Sequence, residues 1–299
     1  MRRLVIGILL TLLGSAISKA QTPAPGPVGE PSGPWREQIH YVPMRDGFGG
    51  TYLLYTRVCR PTGDARARVV LINHGAPPDP NVRPTMQPAK CESEAVQWFL
   101  TRGYLVVVPM RRGYGLTGGA WAEGHGAACS AEGYAQSGRE GARDVDAVVN
   151  YATALPYARP DGVVVVGQSV GGWISDAYDS LPHPKVVAFV SMAGGHGGHH
   201  DHNLPNTNCR ADELARAAGI YGATATTPML WIYTANDSFF APQIATAMHE
   251  AFISSGGKAD LVQPGPFGKD GHGLFFGSGG SAIWGPLFEK YLASRGAGR

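Results

Sequence analysis

One run constrains the fold of this chain more than any other: Gly-Val-Val-Val-Val-Gly-Gln-Ser-Val-Gly-Gly-Trp at residues 162–173. Four consecutive valines suit a strand covered on both faces, the pattern of a parallel sheet. Gly-x-Ser-x-Gly overlaps the end of that run, at Gly167, Ser169 and Gly171, and helix-capable sequence follows. A strand that turns straight into a helix across a serine leaves room only for small neighbours, which Gly167 and Gly171 supply. The hydroxyl then projects above the carboxyl edge of the sheet, with the Val170 N–H at the helix start aimed into the same space. The same residues also fit a plain strand–helix turn whose serine caps the helix. The flanking strand and the residues downstream favour a nucleophile.

Strand and helix signals alternate on either side of this run. Strands are predicted over 38–44, 51–59, 68–73, 104–109, 162–167, 186–192, 228–234 and 259–263. Helices are predicted near 88–102 and over 138–155, 170–180, 241–255 and 283–293. Such alternation predicts an α/β domain: a mostly parallel eight-stranded sheet with helices on both faces. No internal repeat and no composition break appears after residue 35, so 36–299 reads as one domain. The long stretch 193–227 between two strands is the expected cap over a site.

A serine hydroxyl is a weak nucleophile and needs a base, which in turn needs an orienting acid. In a sheet of this type the chain order is serine, acid, histidine. Asp237 follows the strand 228–234 at once, in Ala235-Asn236-Asp237-Ser238, and is the expected acid. His272 stands past the next strand, flanked by Gly271 and Gly273, and is the expected base. Asp270 is a rival acid, but two residues from His272 it is expected to face elsewhere. His40, His125 and His183 precede Asp237 in the chain, and His249 falls in a predicted helix. His74 ends the first buried strand in Asn73-His74-Gly75-Ala76, so the N–H of Gly75 or Ala76 is expected to complete an oxyanion hole with Val170.

These residues together resemble the α/β-hydrolases, close to the dienelactone-hydrolase-like and prolyl-oligopeptidase-like branches. The resemblance covers roughly residues 36–295. Further marks are Val42-Pro43-Met44-Arg45-Asp46-Gly47 and Arg111-Arg112-Gly113-Tyr114-Gly115. It implies the α/β-hydrolase fold and a Ser169–His272–Asp237 acyl hydrolase without a cofactor, acting on a small-molecule ester. Two departures matter. Dienelactone hydrolases carry a cysteine where Ser169 stands, and oligopeptidases carry a large extra domain for which this chain has no room. A peptidase or amidase using the same three residues is the first rival, and a non-catalytic binding protein on the same scaffold the second.

Around this site Arg112, Tyr114, Trp121 and Glu123 lie in the loop after the strand 104–109, which is expected to overlook the same sheet edge. They are candidate substrate-binding residues; a structural ion pair with a packed aromatic is the other reading. Gly194-Gly195-His196-Gly197-Gly198-His199-His200-Asp201-His202 offers zinc- or copper-type donors. It borders the site by position and reads as a rim or substrate loop, with no metal expected.

The first residues read as an export signal: Arg2 and Arg3, an apolar stretch 4–13, then Ser18-Lys19-Ala20. Residues 1–20 are the expected signal peptide, cleaved after Ala20, and the Pro/Gly-rich 21–35 a flexible leader. Ten apolar residues fall short of the roughly 20 a span needs, so no stable membrane anchor is expected. No cysteine precedes Cys59, which leaves no lipidation point at the cleavage site. The formal charge of +2 becomes −1 once Arg2, Arg3 and Lys19 are gone, and no basic run suggests nucleic acid. The expected location is periplasmic or secreted, where Cys59, Cys91, Cys129 and Cys209 would form disulfides. Three connectivities exist, Cys91–Cys129 being favoured; free buried thiols are the alternative.

Overall fold

The computed structural model describes residues 23–124 and 129–298. The expected signal peptide, residues 1–20, lies outside them. Among the described residues nine strands form one sheet in the order β1-β2-β3-β5-β4-β6-β7-β8-β9. The strands are β1 (Gly26–Ser32), β2 (Glu37–Arg45), β3 (Thr51–Cys59), β4 (Val69–Asn73), β5 (Leu105–Pro109), β6 (Val163–Gln168), β7 (Val186–Met192), β8 (Met229–Ile232) and β9 (Ala259–Val262). β1, β2, β3 and β5 pair antiparallel in turn, and from β5 across to β9 every pairing is parallel.

The sheet has one strand more than the eight expected. Gly26–Ser32, read above as part of a flexible leader, is the edge strand β1, paired to β2 with Val28 opposite Ile39. Its side chains are nearly all exposed, so no apolar alternation announces it. Backbone pairing alone defines it, and an edge position tolerates Pro27 and Pro31.

Among the described residues six helices cover the sheet: α1 (Glu94–Leu100), α2 (Ala131–Thr153), α3 (Val170–Asp179), α4 (Ala211–Gly222), α5 (Pro242–Ser254) and α6 (Ser281–Ser294). Alternation along each strand divides the core between the two faces. Val69 and Leu71 of β4 join Val163 and Val165 of β6 under α2, α3, α4 and α5. Val70, Ile72, Val164 and Val166 point the other way, onto Trp98 and Phe99 of α1 and Trp284 and Phe288 of α6. Each such side chain is worth roughly 1.5–3 kcal/mol when fully buried, which is why these strands are almost wholly valine, leucine and isoleucine.

The two faces also explain the cysteines. Cys59 pairs with Cys91 and Cys129 with Cys209, at Cα separations of 5.7 and 5.6 Å. The favoured Cys91–Cys129 pair is therefore wrong. Cys91 enters α1 on one face of the sheet, whereas Cys129 enters α2 on the other. Free thiols are likewise excluded. The expected cap is also smaller than 193–227, because α4 leaves that stretch to pack against α2 and α5. Only 193–210 borders the site.

Candidate active site

The parallel half of the sheet changes its direction of winding between β4 and β6, whose ends Asn73 and Gly167 lie side by side. A crevice at the carboxyl ends of such strands is where ligands enter folds of this kind. Ser169 sits there between β6 and α3, at φ 58° and ψ −126°. This is a strained backbone for a side-chain-bearing residue, of order 1–3 kcal/mol. The surroundings hold it in place. A Cβ on Gly167 would lie 2.0 Å from the carbonyl oxygen of Gly171, and one on Gly171 would lie 2.2 Å from that of Asn73. The Ser169 N–H donates to Met192 O at 2.9 Å, and Ser169 O accepts from the N–H groups of Trp173 and Gly195.

The expected acid and base converge on this serine. Ser169 Oγ lies 3.0 Å from His272 Nε2, and His272 Nδ1 lies 3.1 Å from both carboxylate oxygens of Asp237. Asp237 Oδ1 also accepts from the N–H groups of Phe239 and Phe240 at 2.8 and 2.9 Å. A carboxylate so satisfied tolerates its burial of all but 2 % of its surface. The partners fix the tautomer: Nδ1–H donates to Asp237, and Nε2 is left to accept from the serine hydroxyl.

Asp270, the rival acid, serves the backbone. Its Oδ1 accepts from the N–H groups of His272 and Ser238, and its Oδ2 from Ser238 Oγ at 2.6 Å. Burial works against its charge, but the Ser238 and His272 hydrogen bonds hold the carboxyl below its usual range. Gln168 reaches over from the end of β6 and donates to His272 O at 3.1 Å. Neither Gln168 nor the Phe239 ring, stacked on His272 with centroids 4.1 Å apart, stands out in the sequence. The adjacency of Gln168 to Ser169 is the one signal that pointed its way.

Val170 and Gly75 lie beside the serine, and Ala76 follows Gly75 in the chain. Val170 begins α3, and a Cβ on Gly75 would lie 2.9 Å from Ser169 Cβ and 2.7 Å from Gln168 Oε1. The strand end bearing Gly75 is braced by Arg111, which is fully buried. Arg111 Nη1 donates to Asn73 Oδ1 and to His74 O, its Nε pairs with Glu123, and its N–H donates to His74 Nε2. His74 Nδ1–H donates to Gly75 O at 2.6 Å, so the ring is neutral. Burial, reinforced by Arg111, lowers its pKa to about 3. Asn73 Nδ2 closes the circuit on Gly171 O at 3.0 Å, tying the β4 end to the elbow.

Three of the four candidate substrate-binding residues, Arg112, Tyr114 and Glu123, are buried, and Trp121 is partly so. Arg112 is buried, its Nε 2.7 Å from Asp144 Oδ1, with further bonds to Glu140. Tyr114 and Glu123 are fully buried, and the Tyr114 hydroxyl donates to Glu123 Oε2 at 2.6 Å. Trp121 Nε1 donates to Tyr114 Oη at 3.0 Å. Arg112, Tyr114 and Glu123 therefore present no surface to a substrate. Each buried ion needs a partner: Glu123 has Arg111 from the same loop, and Arg112 has Asp144 and Glu140 from α2.

The histidine-rich segment is likewise built into the structure. His196 is buried against Trp121 and Tyr134, with Nε2 donating to Glu123 O. His199 stacks on Phe239. Among the described residues one grouping has the spacing of metal ligands, Cys129 with His200 and Cys209, and its two sulfurs are bonded to each other.

Residues 91–186 match the prolyl oligopeptidase family, peptidase S9. That stretch contains Ser169 but neither Asp237 nor His272. No curated protein sequence matches the chain. Among solved structures, an esterase of Pyrococcus furiosus is similar at a TM-score of 0.57 and 12% identity, over 92% of this chain and 99% of its own. A protein described as a dienelactone hydrolase, from Klebsiella pneumoniae, gives 0.53 and 16%, over 86% and 98%. An acylaminoacyl peptidase of Pyrococcus horikoshii gives 0.53 and 14%, over 89% of this chain and 49% of its own. The fold is that of the α/β-hydrolases, and the likenesses run to the dienelactone-hydrolase and prolyl-oligopeptidase side of it.

Proposed function

We propose that this chain, an α/β-hydrolase by fold, is an exported serine hydrolase that cleaves carboxylic esters through an acyl-enzyme. The observation that carries the reading is the unbroken contact series from Ser169 Oγ to His272 Nε2 and from His272 Nδ1 to Asp237. In this reading Ser169 Oγ attacks the ester carbonyl while its proton passes to His272 Nε2. The charge on the carbonyl oxygen is met by the Val170 N–H and an N–H from Gly75 or Ala76. Asp237 keeps Nδ1 protonated and stabilises the imidazolium. Collapse expels the alcohol with the proton from Nε2. Water then attacks the acyl-enzyme by the same route and releases the acid.

Export draws support from the two disulfides, which persist in oxidising compartments. Among the described residues no helix is long and apolar enough to cross a membrane. The match to the prolyl oligopeptidase family favours a second reading, peptide or amide cleavage by the same three residues. One experiment separates them: rates on p-nitrophenyl esters of rising acyl length beside the matched p-nitroanilides, with Ser169→Ala as control. Ester turnover that vanishes in the variant supports the first reading. Preference for the anilides transfers the assignment to an amidase, and full activity in Ser169→Ala removes both.

A further inference from the structure

The Gly-rich histidine segment stands behind the base. His199 lies flat on Phe239, ring centroids 3.6 Å apart and planes 7° apart. Phe239 lies on His272, 4.1 Å and 24°. The three rings form one stack, with Phe239 between the histidine that contacts Ser169 and a histidine from a different loop. Two further contacts bind the same loops together. His199 Nε2 lies 2.8 Å from Ser238 Oγ, and Asn206 N–H donates to Ser238 O at 2.7 Å. Ser238 Oγ spends its proton on Asp270 Oδ2, so His199 Nε2–H must be the donor to it. Asp270 in turn holds the His272 N–H.

His199 reaches this place at a cost. Its φ is 56°, in the left-handed region that few side-chain-bearing residues enter, histidine more often than most. Gly198, just before it, is closely packed, a Cβ there lying 3.0 to 3.2 Å from Phe239 O, Cβ and Cδ1. Gly195 is more confined still, its Cβ position 2.5 Å from the Phe240 ring. The loop is anchored at its far end by the Cys129–Cys209 bridge and by the Tyr134 hydroxyl, which donates to Cys209 O. Strain retained against such constraints points to a task.

We propose that His199 is a positioning residue for His272. Resting on the reading of Ser169, His272 and Asp237 as a triad, it clamps Phe239 against the base so that the imidazole keeps both Nε2 on Ser169 and Nδ1 on Asp237. Rotation of the His272 ring would break both contacts together, and Phe239 is the aromatic surface directly stacked on that ring. Without His199 that surface loses its backing, whereas the Ser238–Asp270–His272 backbone link remains.

The test is a pair of variants, His199→Ala and His199→Phe, on the full chain, with circular dichroism to verify folding. His199→Ala is expected to lower kcat about 3- to 10-fold with KM unchanged, the scale of one aromatic contact. It should slow fluorophosphonate labelling of Ser169 by the same factor. His199→Phe, which keeps the ring and loses the hydrogen bonds to Ser238 and Asn203, is expected to recover most of that loss. A reactive wild type with unaltered kcat and labelling in His199→Ala overturns the proposal alone, as does a change confined to KM or a His199→Phe variant as slow as the alanine. If His199→Ala fails to fold, His199→Phe at near wild-type kcat supports the stack and at reduced kcat overturns it. A folded wild type inert to both esters and fluorophosphonate overturns the triad reading and this proposal with it.

Discussion

The nucleophile and the base are held by opposite means. Ser169 is placed by backbone: two strand ends, a helix start and glycines with no space for a methyl group. His272 is placed by side chains from two other segments, Gln168 and Asp237 with Phe239, and by Asp270 of its own loop. The serine therefore shares the fate of the fold, because the contacts that strain it are the contacts that join β4, β6 and α3. The histidine depends on groups that can be exchanged one at a time without loss of the sheet. Activity can be tuned on the base side at little structural cost, and on the serine side hardly at all.

The largest expected effect lies on the base side and leaves the fold alone. Asp237→Asn keeps an acceptor for Phe239 and Phe240 but no longer enforces the required His272 tautomer. Turnover should fall on the order of 10⁴-fold with an unchanged melting curve. A loss below about tenfold would mean that another carboxylate orients the base.

That contrast also explains what the sequence made legible. The elbow is a local matter, and Gly167, Ser169 and Gly171 were readable from twelve residues. Asp237 and His272 were readable because the chain order of strands fixes which loops meet. What was hidden depends on partners distant in sequence. Arg111 rather than Arg112 takes Glu123, because Arg112 turns toward Asp144 on α2. Helix α2 begins at Ala131, ahead of the expected 138, since Ser130 caps it by accepting from the Gly133 N–H. Its Gly138 and Gly141 lie inside the expected helix, and what the sequence does not show is that they admit Tyr221 and Ile174 at close range. The disulfides could not be paired from spacing, because spacing does not say which face of the sheet a cysteine enters.

Next in size is the bridge beneath the base-side loops. Replacing both Cys129 and Cys209 by serine reopens a span of 80 residues and should cost about 3–5 kcal/mol in urea unfolding. Unchanged stability would show that hydrogen bonds alone anchor 193–210. On the serine side, Gly171→Ala should cost at least about 3 kcal/mol, since the new methyl meets the Asn73 carbonyl. Here stability and turnover should fall together; a stable but inactive variant would break the comparison.

The smallest effect is pH-dependent. His74 has its pKa lowered to about 3 by burial and by Arg111, against 6.5 unfolded. The unfolded chain thus binds the extra proton first, so stability is full above pH 6.5 and falls as pH drops from there toward 3. Between pH 7 and pH 5 His74 should account for about 2 kcal/mol of that loss. Denaturant unfolding of His74→Gln at both pH values should show a shallower slope; an identical slope would mean that other groups set the acid limit.

The central claim is that Ser169 is a nucleophile activated by His272. Its most direct measurement is intact-mass and peptide mapping after treating the folded chain with a fluorophosphonate. The account predicts one adduct per chain, on the peptide bearing Ser169, and none in Ser169→Ala or His272→Ala over the same time. A folded protein that takes up no label, or that is labelled equally in the Ser169→Ala variant, would contradict it.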